Sequence, residues 1–109
     1  MSITVIGSGS QSATISTEHD LATDTASHTY VLVVDTGALA DGDVVVLRLY
    51  TKVLSGGTER LAYRAAYAHT QGDPQKYSVP VPANIHLRAS LQQTAGTGRS
   101  FPWSLLALD

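Results

Sequence analysis

The chain is expected to fold as an all-β antiparallel sandwich, jelly-roll-like, with about seven to eight strands. Three observations predict this. The dominant hydrophobic period is two, turn-forming clusters punctuate the chain at near-regular spacing, and no stretch of helical period is long enough to stand unaided. A chain of 109 residues fits one domain and can bury a core without staples. There is no cysteine, so disulfides and thiolate metal sites play no part.

The elements follow in chain order. Ser2, Ile3, Thr4, Val5 and Ile6 read as a short apolar strand. Residues 7–12, rich in glycine and serine, read as a flexible joint. The expected division is therefore an N-terminal arm at 1–12 and a sandwich domain at 13–109. Residues 13–17 are a weak strand candidate. "TYVLVVD" (29–35) is apolar on both faces and predicts a central strand covered on both sides. "DVVVLRLYTKV" (43–53) sets Val45, Leu47, Leu49 and Val53 on one face, with Arg48, Tyr50 and Lys52 opposite. "RLAYRAAYA" (60–68) places Leu61, Tyr63, Ala65 and Tyr67 together. These two runs predict a hairpin whose loop is Ser55, Gly56, Gly57 and Thr58. Residues 77–81 are a second weak candidate. "NIHLRASLQ" (84–92) alternates cleanly, and "FPWSLLAL" (101–108) brings Phe101, Trp103 and Leu105 to one face as core anchors. "GALAD" and "SLQQTA" hold at most one helical turn each.

Composition excludes some partners. The seven Lys and Arg are scattered and the net charge is −2, so no basic stripe faces nucleic acid. The start lacks a basic segment followed by a long apolar run, and no stretch reaches membrane-spanning length. Neither nucleic acid nor membrane is expected as a partner, and no cofactor is expected. Charged residues make up 15%, well below the usual quarter, which suits either a surface partly covered by other subunits or simply one rich in Thr and Ser.

Several motifs bear on chemistry. "VVDTGA" around Asp35 resembles the catalytic segment of retroviral-type aspartic proteases, which form a two-fold dimer so that two carboxylates share a proton. In that resemblance Ser55–Thr58 would stand for a flap tip and Gly98-Arg99 for the late Gly-Arg pair. The sequence departs from the pattern, because "LADGD" follows the motif and Pro102 follows Arg99 in a strand-like run. The competing reading is that Asp35 ends a strand, caps the next turn and leaves Gly37 free for positive φ. "TAGTGRS" lacks the first glycine and the lysine of a phosphate loop and reads as a turn. His19, His28, His69 and His86 show no metal-ligand spacing and read as surface or interface residues. The acids Glu18, Asp20, Asp24, Asp41 and Asp43 read as solvated turn residues rather than a calcium site. Tyr63 and Tyr67 are expected to pack inward, leaving Tyr50 as the candidate exposed ring for a sugar.

The chain as a whole resembles a group of small proteins encoded among the virion structural genes of tailed bacteriophages. The resemblance spans roughly 14–108 and rests on "STEHDL", "VDTGALADGD", "KVLSGGTER" and "QQTAGTGRSFPWSL". It implies a β-sandwich subunit of the virion, preferably a capsid decoration or cement protein, with the neck or tail as the next place. It implies the major capsid protein or other virion proteins as partners, a homo-oligomer, and assembly in a host cytoplasm. No catalytic residue carries over. The expected contact residues are Ser2, Ile3, Thr4, Val5 and Ile6 as an exchanged strand, Ser55, Gly56, Gly57 and Thr58, Gln71 and Asp73 in the loop at 70–75, and Tyr50. The alternatives are a dimeric protease using Asp35 and a tail- or neck-associated glycan-binding module.

Overall fold

The computed structural model describes residues 2–109. Among them lie nine strands and no helix: β1 Ile3–Ser12, β2 Glu18–Asp24, β3 His28–Asp35, β4 Val44–Thr51, β5 Arg60–Ala68, β6 Gln75–Tyr77, β7 Val81–Ala83, β8 Leu87–Ala95 and β9 Ser100–Leu108. They form two antiparallel sheets. The first runs β1-β9-β3-β6, with β7 also on β3, and the second runs β2-β8-β4-β5. Counting β6 and β7 as one interrupted strand, the chain has eight strand positions, shared four and four between the sheets. Successive strands from β1 to β4 alternate between sheets, as the paired Greek keys of a jelly roll require. The interruption falls at residues 78–80, where Pro80 and Pro82 withhold ladder donors from an edge strand. The 77–81 candidate is therefore two short strands around a break.

The core lies between the sheets. Tyr30, Leu32 and Val34 of β3, and Phe101 and Leu105 of β9, meet Val45, Leu47 and Leu49 of β4 and Leu87, Ala89 and Leu91 of β8. These are the inward positions of strands whose opposite positions are polar or form the outer faces, so the period-two pattern selects them directly. Tyr63 and Tyr67 pack against this core as expected. Leu61 does not: a register shift sets Leu49 opposite Tyr63 but Tyr50 opposite Leu61, which turns Leu61 outward. Val53 also leaves its predicted face, because β4 ends at Thr51 and the β4–β5 connection spans 52–59 rather than four residues.

The expected joint at 7–12 is instead the second half of a ten-residue strand. β1 pairs with β9 from Ile3 opposite Leu108 to Ser12 opposite Ser100, with one bulge between Val5 and Gly7. The glycines serve packing, not flexibility. A Cβ at Gly7 would stand 3.3 Å from Trp103 Cη2 and 3.4 Å from Ala22 Cβ, and one at Gly9 would stand 3.6 Å from Trp103 Nε1. The indole lies flat on backbone that carries no side chain. The glycine-rich half of β1 is thus part of the sandwich, and Ala13–Thr17 is a turn leading into β2.

Candidate functional site

One end of the sandwich is closed by a polar lock. Asp43, 2% exposed, accepts from Ala40 N at 3.0 Å, Thr97 N at 3.0 Å and Arg99 Nε at 2.8 Å. These donors hold its carboxyl below the usual range, the Ala40 and Thr97 amides contributing most. Gly96 has φ +90°, and a Cβ there would fall 1.9 Å from Asp43 Oδ1. Gln93, fully buried, donates to the carbonyls of Ala95 and Thr97 and accepts from Arg99 N. "TAGTGR" is therefore a turn moulded around one carboxylate, and Asp43 is a structural anchor rather than a solvated turn residue.

Asp35 ends β3 at this same end. Its Oδ1 accepts from Gly37 N at 2.8 Å, so the carboxylate caps the turn as the second reading expected. Gly37 is not among the positive-φ glycines. What it supplies is room, since a Cβ would stand 3.0 Å from Oδ1. β4 and β5 join at the opposite end of the sandwich, so Ser55, Gly56, Gly57 and Thr58 lie far from Asp35. Gly98-Arg99 is on the Asp35 end, but Arg99 is engaged by Asp43.

The outer faces of the two sheets differ sharply in chemistry. The outer face of the second sheet is a network of ion pairs centred on Arg88. Its guanidinium meets Glu59 Oε1 through Nη2 at 2.8 Å and Asp20 Oδ1 through Nη1, and it lies 4.0 Å over the Tyr50 ring. Glu18 accepts from Tyr50 Oη at 2.6 Å and from Ser90 Oγ. His86 bonds Glu59 Oε2, and Arg48 Nη1 donates to Gln92 Oε1 at 2.7 Å. Arg88 and His86 pull the Glu59 carboxyl down to about 2, the Arg88 hydrogen bonds contributing most. Tyr50 is thus not a free ring: its hydroxyl is bound and one face is covered by Arg88.

Three rows of the first sheet's outer face are mainly apolar, and the row beyond them carries Ser10, Pro102, Asp35 and Gln75. The ladder sets Ile3, Leu108, Thr29 and Pro82 in one row, Val5, Leu106 and Val31 in the next, and Ser8, Ser104, Val33 and Tyr77 in the third. No charged side chain stands in these rows. Ile3 is 62% exposed, Val5 56% and Tyr77 58%, with Val79 beside them in the β6–β7 break at 56%. The sequence marked β3 as needing cover on both faces. The chain itself already covers Val31 on the outer face, 8% exposed, and leaves Val33 half-buried.

The predicted contact residues occupy three regions. Ile3, Thr4 and Val5 are all exposed on β1, with Ile3 and Val5 on the outer face, and Ile6 packs against the core. Ser55, Gly56, Gly57 and Thr58 are exposed at the β1-start end, beside Val53 and Leu54 at 84% and 72% exposure. Gln71 and Asp73 lie in the loop at the other end, where Gln71 Nε2 donates to Ala68 O at 2.6 Å. An open cleft of about 630 Å³ also opens at the β1-start end, bordered by His28, Thr51, Lys52, Asn84 and Asp109. Sequence reasoning missed Tyr77, Leu106 and Leu108 as surface residues. The signal was present, because Leu106 and Leu108 fall between the inward positions of an alternating strand.

The histidines act as hydrogen-bond partners of local structure. His19 Nε2 accepts from Thr14 N, His69 Nδ1 accepts from Gly42 N, and His28 pairs with Asp109. Asp24 accepts from the Tyr30 hydroxyl at 2.6 Å. The chain matches no protein-family model, and no curated protein matches it.

Proposed function

We propose that the protein is a structural subunit of a tailed-bacteriophage virion, a decoration or cement subunit that braces the coat lattice. The partner is the major capsid protein or another virion protein, and the contact is made by the outer face of the first sheet. The observation that carries this reading is the group of exposed apolar side chains Ile3, Val5 and Tyr77 on the outer face of the first sheet, with Val79 beside them, while the opposite outer face carries the Arg88 ion-pair network. Contiguous apolar surface rimmed by polar residues marks interaction sites. Many copies on a lattice hold through summed weak contacts, so no single contact has to be tight. The jelly-roll sandwich and the resemblance across 14–108 support the same role, and the preferred place is the capsid, with neck or tail next. The reading requires no cofactor.

The test is co-production with the major coat protein of the virion, followed by gradient sedimentation of the shells. The protein is expected to travel with shells and to raise the temperature at which they open. Tyr77→Asp with Val79→Asp, both at exposed positions, should fold normally and stay at the top of the gradient. Wild-type protein that never sediments with shells would refute the role.

A further inference from the structure

We infer that two copies of this chain join edge to edge through β1, making one continuous sheet across a two-fold axis. The inference does not depend on the virion role, since it concerns the protein alone in solution. Four sheet edges are open to a partner, and three are guarded. β2 carries Glu18, Asp20 and Asp24. β5 carries Arg60 and Arg64. The β6–β7 edge is broken and bears Lys76, Pro80 and Pro82. Charge, proline and interruption are the devices that keep sheet edges from pairing. β1 has ten residues with no charge and no proline, and its one irregularity is the bulge after Val5.

The backbone of that edge is self-complementary. Ser2 and Asp109 exchange two hydrogen bonds, at 2.7 and 2.9 Å, which fixes the phase of the β1–β9 ladder. In an antiparallel pair, residues bonding one neighbour alternate with residues whose N–H and C=O point away. Before the bulge the outward residues are Ile3 and Val5. After it, where Gly7 and Gly9 stand opposite Leu105 and Trp103, they are Ser8, Ser10 and Ser12. About a two-fold axis near the bulge, Ile3 meets Ser10 of the partner subunit and Val5 meets Ser8 of the partner subunit. One register thus engages four of the five outward residues of each chain, and it sets each large side chain beside a small one. The joined sheet also doubles the apolar outer face.

The test uses the full chain. Light scattering is expected to give the mass of two 11.5 kDa chains. Ser8→Pro removes no bond to β9, because the Ser8 N–H points outward, and Val5→Lys adds charge at an exposed position. Both should fold and give the mass of one chain. The native chain has no cysteine, so cross-linking reads the register cleanly. Val5→Cys mixed with Ser8→Cys should form an oxidised heterodimer, at spacing suited to a disulfide, while each variant alone should not. A monomeric wild type overturns the inference. So does a dimer that survives both blocking substitutions, or cross-linking that is as strong in either variant alone. A dimer that fails to bind shells would instead count against the virion role and leave this inference standing.

Discussion

Glu59→Gln offers a quantitative test of the polar outer face. Glu59 closes the β4–β5 loop and ties it to β8 through Arg88 Nε and Nη2, with His86 on its other oxygen. Its carboxyl falls from 4.5 to about 2 in the fold. At about 1.4 kcal/mol per pKa unit, that shift sets an upper bound of roughly 3 kcal/mol. The Glu59 side chain is 26% exposed and Arg88 22%, so solvent screens the pair. The expected contribution is then about 1 kcal/mol. A carboxyl with a lower pKa in the folded state binds fewer protons there, so its stabilisation is complete above pH 4.5 and is lost as pH falls through about 2. Urea unfolding followed by Trp103 fluorescence, at neutral pH and in steps down to pH 2, measures this. Wild type should exceed Glu59→Gln by about 1 kcal/mol at neutral pH, the gap closing in acid. A gap that is absent at neutral pH, or unchanged in acid, would refute the assignment.

Other outcomes follow from the packing. Trp103→Ala should cost about 3 kcal/mol in urea unfolding, because it empties the space above Gly7 and Gly9. Gly96→Ala should lower the melting temperature clearly, since it forces a Cβ at φ +90° onto the Asp43 carboxylate. Asp35→Asn should leave stability within about 0.5 kcal/mol, because an amide oxygen still accepts from Gly37 N. Deleting residues 2–10 should abolish cooperative unfolding by circular dichroism, since β1 covers Trp103 and the edge of β9.

Much of the fold was legible because inward and outward residues alternate. β5 and β9 fall where the pattern places them, within a residue at each end, and β3 and β4 within two. β8 begins later and runs further, taking in Gln93, Thr94 and Ala95, where "SLQQTA" suggested a helical turn. Gln93 misleads because its buried amide answers three backbone groups that no sequence window can show. β2 was missed because a charged edge strand offers few apolar positions to read. β1 was cut short because glycine signals flexibility locally, and only the fold reveals that Trp103 requires those glycines. Of the candidate surface, Ile3 and Val5 were legible as an uncharged strand. Tyr77, Leu106 and Leu108 were not recognised as part of it, because joining three strands into one face depends on register.

The most direct test of the account is a cryo-microscopy map of coat shells carrying the protein. The account predicts that Ile3, Val5, Tyr77 and Val79 face the coat subunits, while Arg88, Glu18 and Tyr50 point to solvent. A map with the Arg88 network seated on the shell and the apolar rows bare would contradict it.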